Sequence, residues 1–238
     1  MAVDEALLER AASSESAVFR VYSWSAPTLS FGRHQSARGT YDPTRARDRG
    51  IDFVRRPTGG RSLLHHREVT YSVTAPASLA GSFRESYTRI NRLLVDGLER
   101  LGVGVEIASP SERSVRPSAA PCFERPAAGE LIVNGRKLVG SAQWRDNGAV
   151  LQHGSILVED DQGIVSMLGD DVALPQPAGT LSEALGRTPT IDEVAGCLFD
   201  AVRADDPTAA PMEIDATLER ATTRLLARYV DECWTWRR

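Results

Sequence analysis

Lys137, in the stretch "NGRKLVGSAQ", is the only lysine of the chain, and the other 27 of its 28 basic residues are arginines. An ammonium is a compact point charge with three donors, suited to a single oxygen atom in a narrow space. A guanidinium is a planar fork that needs room for two. Two readings of Lys137 stand: a site that requires the compact charge, or one survivor of a codon-usage bias against lysine. Cys122 is the second candidate. It lies in residues 108 to 130, a stretch rich in Ser, Pro and Ala with little periodicity. A free thiol titrates near about 8.5, so Cys122 needs a nearby cation or helix end to serve as a nucleophile. Lys137 is a candidate neighbour; an inert loop cysteine is the alternative. Cys197, among Val194, Leu198 and Val202, reads as helix packing, and Cys233 as incidental.

"RRPTGGR" places Arg55 and Arg56 at the end of an apolar run and Gly59 and Gly60 in the turn after it. The arginines offer forks to a phosphate or carboxylate, and the glycines let backbone N–H groups approach a ligand. The alternative is a tight turn flanked by surface arginines. Neither a P-loop ending nor a GxGxxG pattern is present. His65 and His66 are adjacent, so on a strand they point to opposite faces, a poor spacing for joint metal ligation; no metal site is expected. His153 sits on an apolar run beside Gly154, where a hydrogen-bonded wall residue is a commoner role than a catalyst. Gly140 and Gly154 fall in neighbouring runs, which indicates that something approaches the sheet closely there.

These residues need elements to hold them. Residues 3 to 12 read as an amphipathic helix. "AVFRVYSW", "TLSFG", "IDFVRR" and "SLLHHREVTYSVTAP" read as strands, the last as one or two ending at Pro76. "DPTRARDRG" reads as a short helix with Asp42 as N-cap, Pro43 at its first position and Gly50 as its stop. Ser82 and Glu85 form a capping box opening a helix to Leu101, with Ile90, Leu93, Leu94, Leu98 and Leu101 as its apolar stripe. Asn134-Gly135 and Asp146-Asn147-Gly148 mark hairpin turns of a β-meander that carries Lys137 and His153. Thr190 and Glu193 cap a helix to about Ala204, and a last helix runs from about Ala216 to Cys233. The expected fold is α+β: a mixed β-sheet flanked by helices, with a short helical C-terminal extension. A catalytic domain over 1–175 and a helical region over 176–238 packed on it are expected, divided near "GDDVALPQPAGT".

A formal net charge of -4 without a basic block argues against a nucleic-acid partner. No run approaches the roughly 18 apolar residues that cross a bilayer, so no membrane partner is expected. The acidic start "MAVDEALLER" is unlike a signal peptide. Three scattered cysteines fit neither a disulfide scaffold nor a zinc site, and a cytoplasmic location with reduced thiols is expected.

Together these stretches resemble the biotin/lipoate protein ligase superfamily. "RRPTGGRSLLHHREVTYSV" is similar to its Arg-Arg-x-x-Gly-Gly motif and following strand, and "GRKLVGSAQWRDNGAVLQHGSIL" to its lysine-bearing strand pair. "MAVDEALLE" and "FGRHQ" resemble its first helix and the strand turn after it, and the likeness is close over about residues 1 to 160. "CFERP", residues 122 to 126, resembles a segment of the octanoyltransferase branch. The resemblance implies an acyl pocket against the sheet, with Cys122 as the acyl-accepting nucleophile and Lys137 on the acyl carbonyl. Arg55, Arg56, Gly59, Gly60, His65, Gly140 and His153 are the expected substrate-binding residues. The donor implied is octanoyl-acyl carrier protein, the acceptor a lipoyl domain or glycine-cleavage H protein, and no cofactor is expected. An ATP-dependent lipoate-protein ligase and a non-catalytic acyl- or carrier-binding homologue are the rivals. The chain departs from the pattern in three places. His66 replaces a common Asp, the edge strand expected ahead of the first helix is not among the residues of this sequence, and "ERPAAGE" lacks the usual aromatic segment.

Overall fold

The computed structural model describes residues 1–108 and 129–237. The chain runs through α1 (Ala2–Ala11), β1 (Val18–Tyr22), β2 (Thr28–Phe31), α2 (Pro43–Arg47), β3 (Asp52–Arg55), β4 (Leu63–His65) and β5 (Glu68–Pro76). It continues through α3 (Ala77–Ala80), α4 (Phe83–Arg100), β6 (Glu106–Ile107), β7 (Leu131–Val133), β8 (Arg136–Asp146) and β9 (Ala149–Leu157). A 3₁₀ segment, Gln162–Leu168, leads to α5 (Leu181–Leu185), α6 (Ile191–Asp205), α7 (Ala216–Tyr229) and α8 (Glu232–Thr235).

The strands form two sheets. One has six strands in the order β1-β5-β9-β8-β7-β6, antiparallel throughout. The other is β3-β2-β4, with β2 parallel to β3 and antiparallel to β4. The fold is therefore α+β with strands in mixed directions, as expected. Asn134 and Gly135 take φ of 51° and 73°, and Asn147 and Gly148 take 44° and 81°. Paired positive φ angles give turns whose twist suits antiparallel strands, and they fix the β7-β8-β9 meander. The run "SLLHHREVTYSVTAP" divides between the sheets: β4 pairs with β2, whereas β5 pairs with β1 and β9.

Helices α4 and α6 pack on one face of the large sheet. Both begin at the expected capping boxes, Ser82 with Glu85 and Thr190 with Glu193. Leu94, Leu98, Val194 and Leu198 join Val69, Tyr71, Val139 and Ile156 in the main core. Gly97 lets the helices touch, since a Cβ there would lie 2.7 Å from Leu198 Cδ2. Helix α7 packs with α1, where Ala6, Leu7, Leu218 and Leu225 are buried together. The last helix differs from the expectation. It stops at Tyr229, and Asp231 caps a new turn by accepting from the Cys233 N–H. That break turns Trp234 and Trp236 onto the small sheet, with Trp236 4.8 Å from the Phe53 ring.

The opposite face of the large sheet is polar, yet it is also buried. Register aligns Arg20, Ser72, His153 and Ala142 in one row and Tyr22, Thr70, Ser155 and Gly140 in the next. Alternation in β5 normally means one wet face. Here Glu68, Thr70, Ser72 and Thr74 are all at most 4% exposed. Burying polar groups at this density calls for hydrogen bonds: Glu68, Thr70 and Ser72 make them with neighbours, Thr74 Oγ1 makes none with the described residues, and Thr70 lines a cavity.

Candidate functional site

Five of the expected substrate-binding residues line one cavity: Arg56, Gly60, His65, Gly140 and His153. Leu63, Thr70, Ser141, Ala142 and Gly154 complete most of its wall. The small sheet delivers Arg56, Gly60 and His65 from one side. Strands β8 and β9 deliver Gly140, Ala142, His153 and Gly154 from the other. Small residues keep the floor low, so the space suits a narrow chain lying against the sheet.

Each cavity histidine faces a carboxylate, His65 within hydrogen-bond distance and His153 just beyond it. Asp4, fully buried in α1, accepts from Arg20 Nη1 (2.7 Å), Tyr22 Oη (2.9 Å) and Ser72 Oγ (2.8 Å). His153 Nδ1 lies 3.7 Å from its Oδ2, while His153 Nε2 is 2.7 Å from Thr58 Oγ1. Glu68 is 3.2 Å from His65 Nδ1, and His65 Nε2 is 2.8 Å from Ser30 Oγ. Burial pushes both imidazoles down from their ordinary value, and the neighbouring carboxylates only partly oppose it. Both rings are therefore neutral, hydrogen-bonding wall residues. Burial would raise the Asp4 carboxyl, but the Met1 amino group, His153 and Arg20 outweigh it and hold Asp4 well below the usual carboxylate range.

The two arginines of "RRPTGGR" part company, because neighbours on an extended strand point to opposite sides. Arg56 reaches the cavity. Its Nη1 donates to the Ser30 carbonyl oxygen (3.0 Å), and its Nη2 to the Gly59 (3.2 Å) and Arg61 (2.7 Å) carbonyl oxygens. Arg55, expected beside substrate, is fully buried on the other side. It donates to the carbonyl oxygens of Thr235 (2.9 Å), Gly32 (2.7 Å) and Gln35 (2.8 Å), which ties the C-terminal turn to the small sheet. Trp234 Nε1 returns a bond to the Arg55 carbonyl oxygen at 3.0 Å. Gly59 is off the cavity wall, while Gly60 holds φ of 96° at its edge.

Lys137 lies on β8, three residues before Gly140, and is 3% exposed. Its Nζ is 2.7 Å from Glu130 Oε1, a partner the sequence did not reveal. Its carbonyl oxygen accepts from Gly179 N–H (2.9 Å), so the segment before α5 crosses the start of β8. Tyr87, half-buried on α4, feels both charges: its phenol is raised by burial and by Glu130, and lowered by Asn91 and Lys137. Cys122 falls outside the described residues. His66, on the outward side as its parity requires, is 2.6 Å from Asp161. What approaches Gly154 is the chain itself, since a Cβ there would sit 2.5 Å from the Gly140 carbonyl oxygen and 2.6 Å from Tyr71 Cε1. Sequence reasoning missed Asp4, Ser30, Thr58, Glu68 and Glu130. The one available signal was the run of polar residues alternating through β5.

The chain matches the family model of the lipoyl protein ligase A/B catalytic domain over residues 1–203. It is 38% identical to Octanoyltransferase LipM of Kyrpidia tusciae, across 100% of this chain and 94% of that relative. It is 35% identical to Octanoyltransferase LipM of Exiguobacterium sibiricum, again across 100% of this chain and 94% of the relative. Among solved structures, protein Ta0514 of T. acidophilum with bound lipoic acid superposes with a TM-score of 0.81 at 20% identity. That match covers 99% of this chain and 92% of the other, and at that identity shows a common fold. The chain belongs to the lipoyl protein ligase A/B catalytic domain family.

Proposed function

We propose that the protein is an octanoyltransferase of protein lipoylation. Octanoate arrives as the thioester of an acyl carrier protein. The Cys122 thiolate adds to the carbonyl carbon, a new C–S bond forms, and the C–S bond to the carrier's thiol breaks. The carrier thiolate leaves and takes up a proton. The ε-amine of a lysine on a lipoyl domain or glycine-cleavage H protein then attacks the enzyme thioester. A C–N bond forms, the bond to Cys122 breaks, and the amine proton returns to the thiolate. Thiol exchange between thioesters is nearly even in energy, and the amide product makes the second step downhill. The donor is already activated, so the chemistry calls for no nucleotide.

The observation that carries this reading is similarity to octanoyltransferases along the whole chain, at 38% identity. The site supports it with a narrow slot whose floor is Gly140, Ala142 and Gly154, walled by two neutral imidazoles. A linear acyl chain fits such a space better than a bulky ring system. Lys137, on the same strand as that floor, is assigned to the acyl carbonyl oxygen, where a compact charge stabilises the developing oxyanion. No helix among the described residues is long and apolar enough to cross a membrane. We place the reaction in the cytoplasm, where acyl carrier protein and apo-acceptors meet.

The test is transfer from octanoyl-acyl carrier protein to an apo-lipoyl domain in the absence of ATP, read as a mass gain on the acceptor. Mass gain without ATP is expected. Product that forms only with ATP and magnesium identifies a ligase. Binding of the acceptor with no product under either condition identifies a non-catalytic homologue.

A further inference from the structure

Glu68, the first residue of β5, is 4% exposed and sits at the centre of a closed polar network. Its Oε1 accepts from Thr70 Oγ1 (2.6 Å) and its Oε2 from Ser155 Oγ (2.6 Å), with His65 Nδ1 3.2 Å from Oε1. A carboxylate can only accept, so each of these three contacts places a proton on the partner. His65 therefore carries its proton on Nδ1, and Nε2 is left as an acceptor. Ser30 Oγ, 2.8 Å away, donates to it in preference to the Leu63 carbonyl oxygen at 3.3 Å. That leaves the Ser30 oxygen lone pairs for Arg56, whose Nη1 donates to them. The proton assignments thus run in one direction, from Arg56 through Ser30 and His65 to Glu68. Trp24 locks the ring in place, stacked on His65 at 4.3 Å with its Nε1 donating to Thr70 Oγ1 at 2.9 Å.

Ser30, His65 and Glu68 have the spacing of an acyl-transfer triad. Ser30 is fully buried, is not on the cavity wall, and already serves Arg56 with its oxygen, so it is not a nucleophile. What lies at the far end of the chain is the turn at the cavity edge. Arg56 holds the carbonyl oxygens of Gly59 and Arg61, which bracket Gly60.

We infer that Glu68 is a positioning residue for acyl-donor binding, acting through His65 and Ser30 to hold Arg56 and the Gly59–Gly60 turn at the cavity edge. The identity of the donor rests on the octanoyltransferase reading; the connection from Glu68 to the turn does not. Two variants cut the chain at different links. Glu68→Gln turns one of two acceptor atoms into a donor, so the three donors can no longer all be met. Ser30→Ala removes the link while leaving the Glu68 carboxylate and its three donors in place, and keeps the inference testable if Glu68→Gln folds poorly.

Two measurements on the full chain decide it. The first is hydrogen–deuterium exchange, which needs no substrate. Both variants are expected to exchange faster in peptides spanning Thr58–Arg61 while α4 and α6 keep wild-type protection. Unchanged exchange at the turn overturns the inference, and so does a general loss of protection in Ser30→Ala. The second is steady-state transfer from octanoyl-acyl carrier protein. Each variant is expected to raise the donor KM about tenfold, with kcat changed less than about threefold, and the double variant to match the worse single variant within about twofold, because the residues act in series. Losses that multiply overturn a serial chain. A wild-type protein that transfers no octanoyl group overturns the functional reading instead, and exchange at the turn then decides this inference by itself.

Discussion

Gly154→Ala adds one methyl group where the geometry leaves no room. The new Cβ would lie 2.5 Å from the Gly140 carbonyl oxygen, 2.6 Å from Tyr71 Cε1 and 3.0 Å from Ser141 Oγ. Real Cβ atoms essentially never come within 3.0 Å, so at least half an ångström must be found. The carbonyl belongs to β8, whose Gly140 and Ser141 sit in register with Ser155 and Gly154. The Tyr71 ring is held by Ser141 Oγ at 2.7 Å and by Gln152 Nε2 at 3.0 Å, and it stacks on Phe19. Neither can swing aside, so β8 and β9 must separate at the cavity floor. Overpacking of this kind costs about 1–3 kcal/mol. In a chain of this length that lowers the melting temperature by about 2–12 °C. On the proposed function the displaced backbone is the floor under the acyl group, so the transfer rate at 25 °C should fall by about tenfold or more. Thermal melts and initial rates measured well below the transition give both numbers. Gly196→Ala is the control, since its Cβ meets nothing within 4 Å and lies in α6; it should melt at or above the wild-type temperature. A Gly154→Ala protein that melts within about 1 °C of wild type and transfers at an unchanged rate would refute the claim that this floor is closely packed.

Lys137→Arg keeps the charge and loses the compact contact, and transfer should drop about 10²-fold while the melt moves little. Activity within a few-fold of wild type would make the lone lysine an accident of codon usage. Stability should also fall on acidification in two windows. His65 and His153 are held below their ordinary 6.5 by burial, against the pull of Glu68 and Asp4. The unfolded chain therefore binds protons below pH 6.5 that the folded chain refuses. Their contribution is complete above that pH and is lost below it, by up to about 1.4 kcal/mol per pH unit for each ring. Asp4 is held below its ordinary 3.8, so its contribution is present above that pH and disappears beneath it. Chemical denaturation from pH 8 to pH 3 checks both windows, and a flat profile between pH 7 and 5 would contradict the neutral histidines.

Local signals were readable from the sequence because their partners are near in the chain. The two capping boxes, the Asp42 cap and the two Asn-Gly turns all form where the residues alone place them. Parity correctly set His65 and His66 on opposite faces, and the structure makes His65 the inward one. It could not say which of Arg55 and Arg56 faces the cavity, because that depends on the side of β3 on which the C-terminal turn docks. The polar network was hidden for a related reason. Asp4 on an amphipathic helix, and Glu68, Thr70 and Ser72 on an alternating strand, look like solvent faces until long-range packing covers them. Glu68 and Ser155 are 87 residues apart, and Asp4 and Ser72 are 68 apart, so no local pattern joins them. The glycines at 140 and 154 announced a close approach without naming its source, which at Gly154 proved to be the chain's own carbonyl and tyrosine.

The covalent step carries the whole proposal, and it can be trapped. Wild-type protein is mixed with octanoyl-acyl carrier protein, without ATP and without acceptor, then digested and mapped by mass spectrometry. An octanoyl group should appear on Cys122, be removed by hydroxylamine, and be absent from Cys122→Ala, while Cys197→Ala and Cys233→Ala label normally. Substantial transfer by Cys122→Ala, or product that requires ATP, would contradict a thioester on Cys122 and return the chain to the ligases.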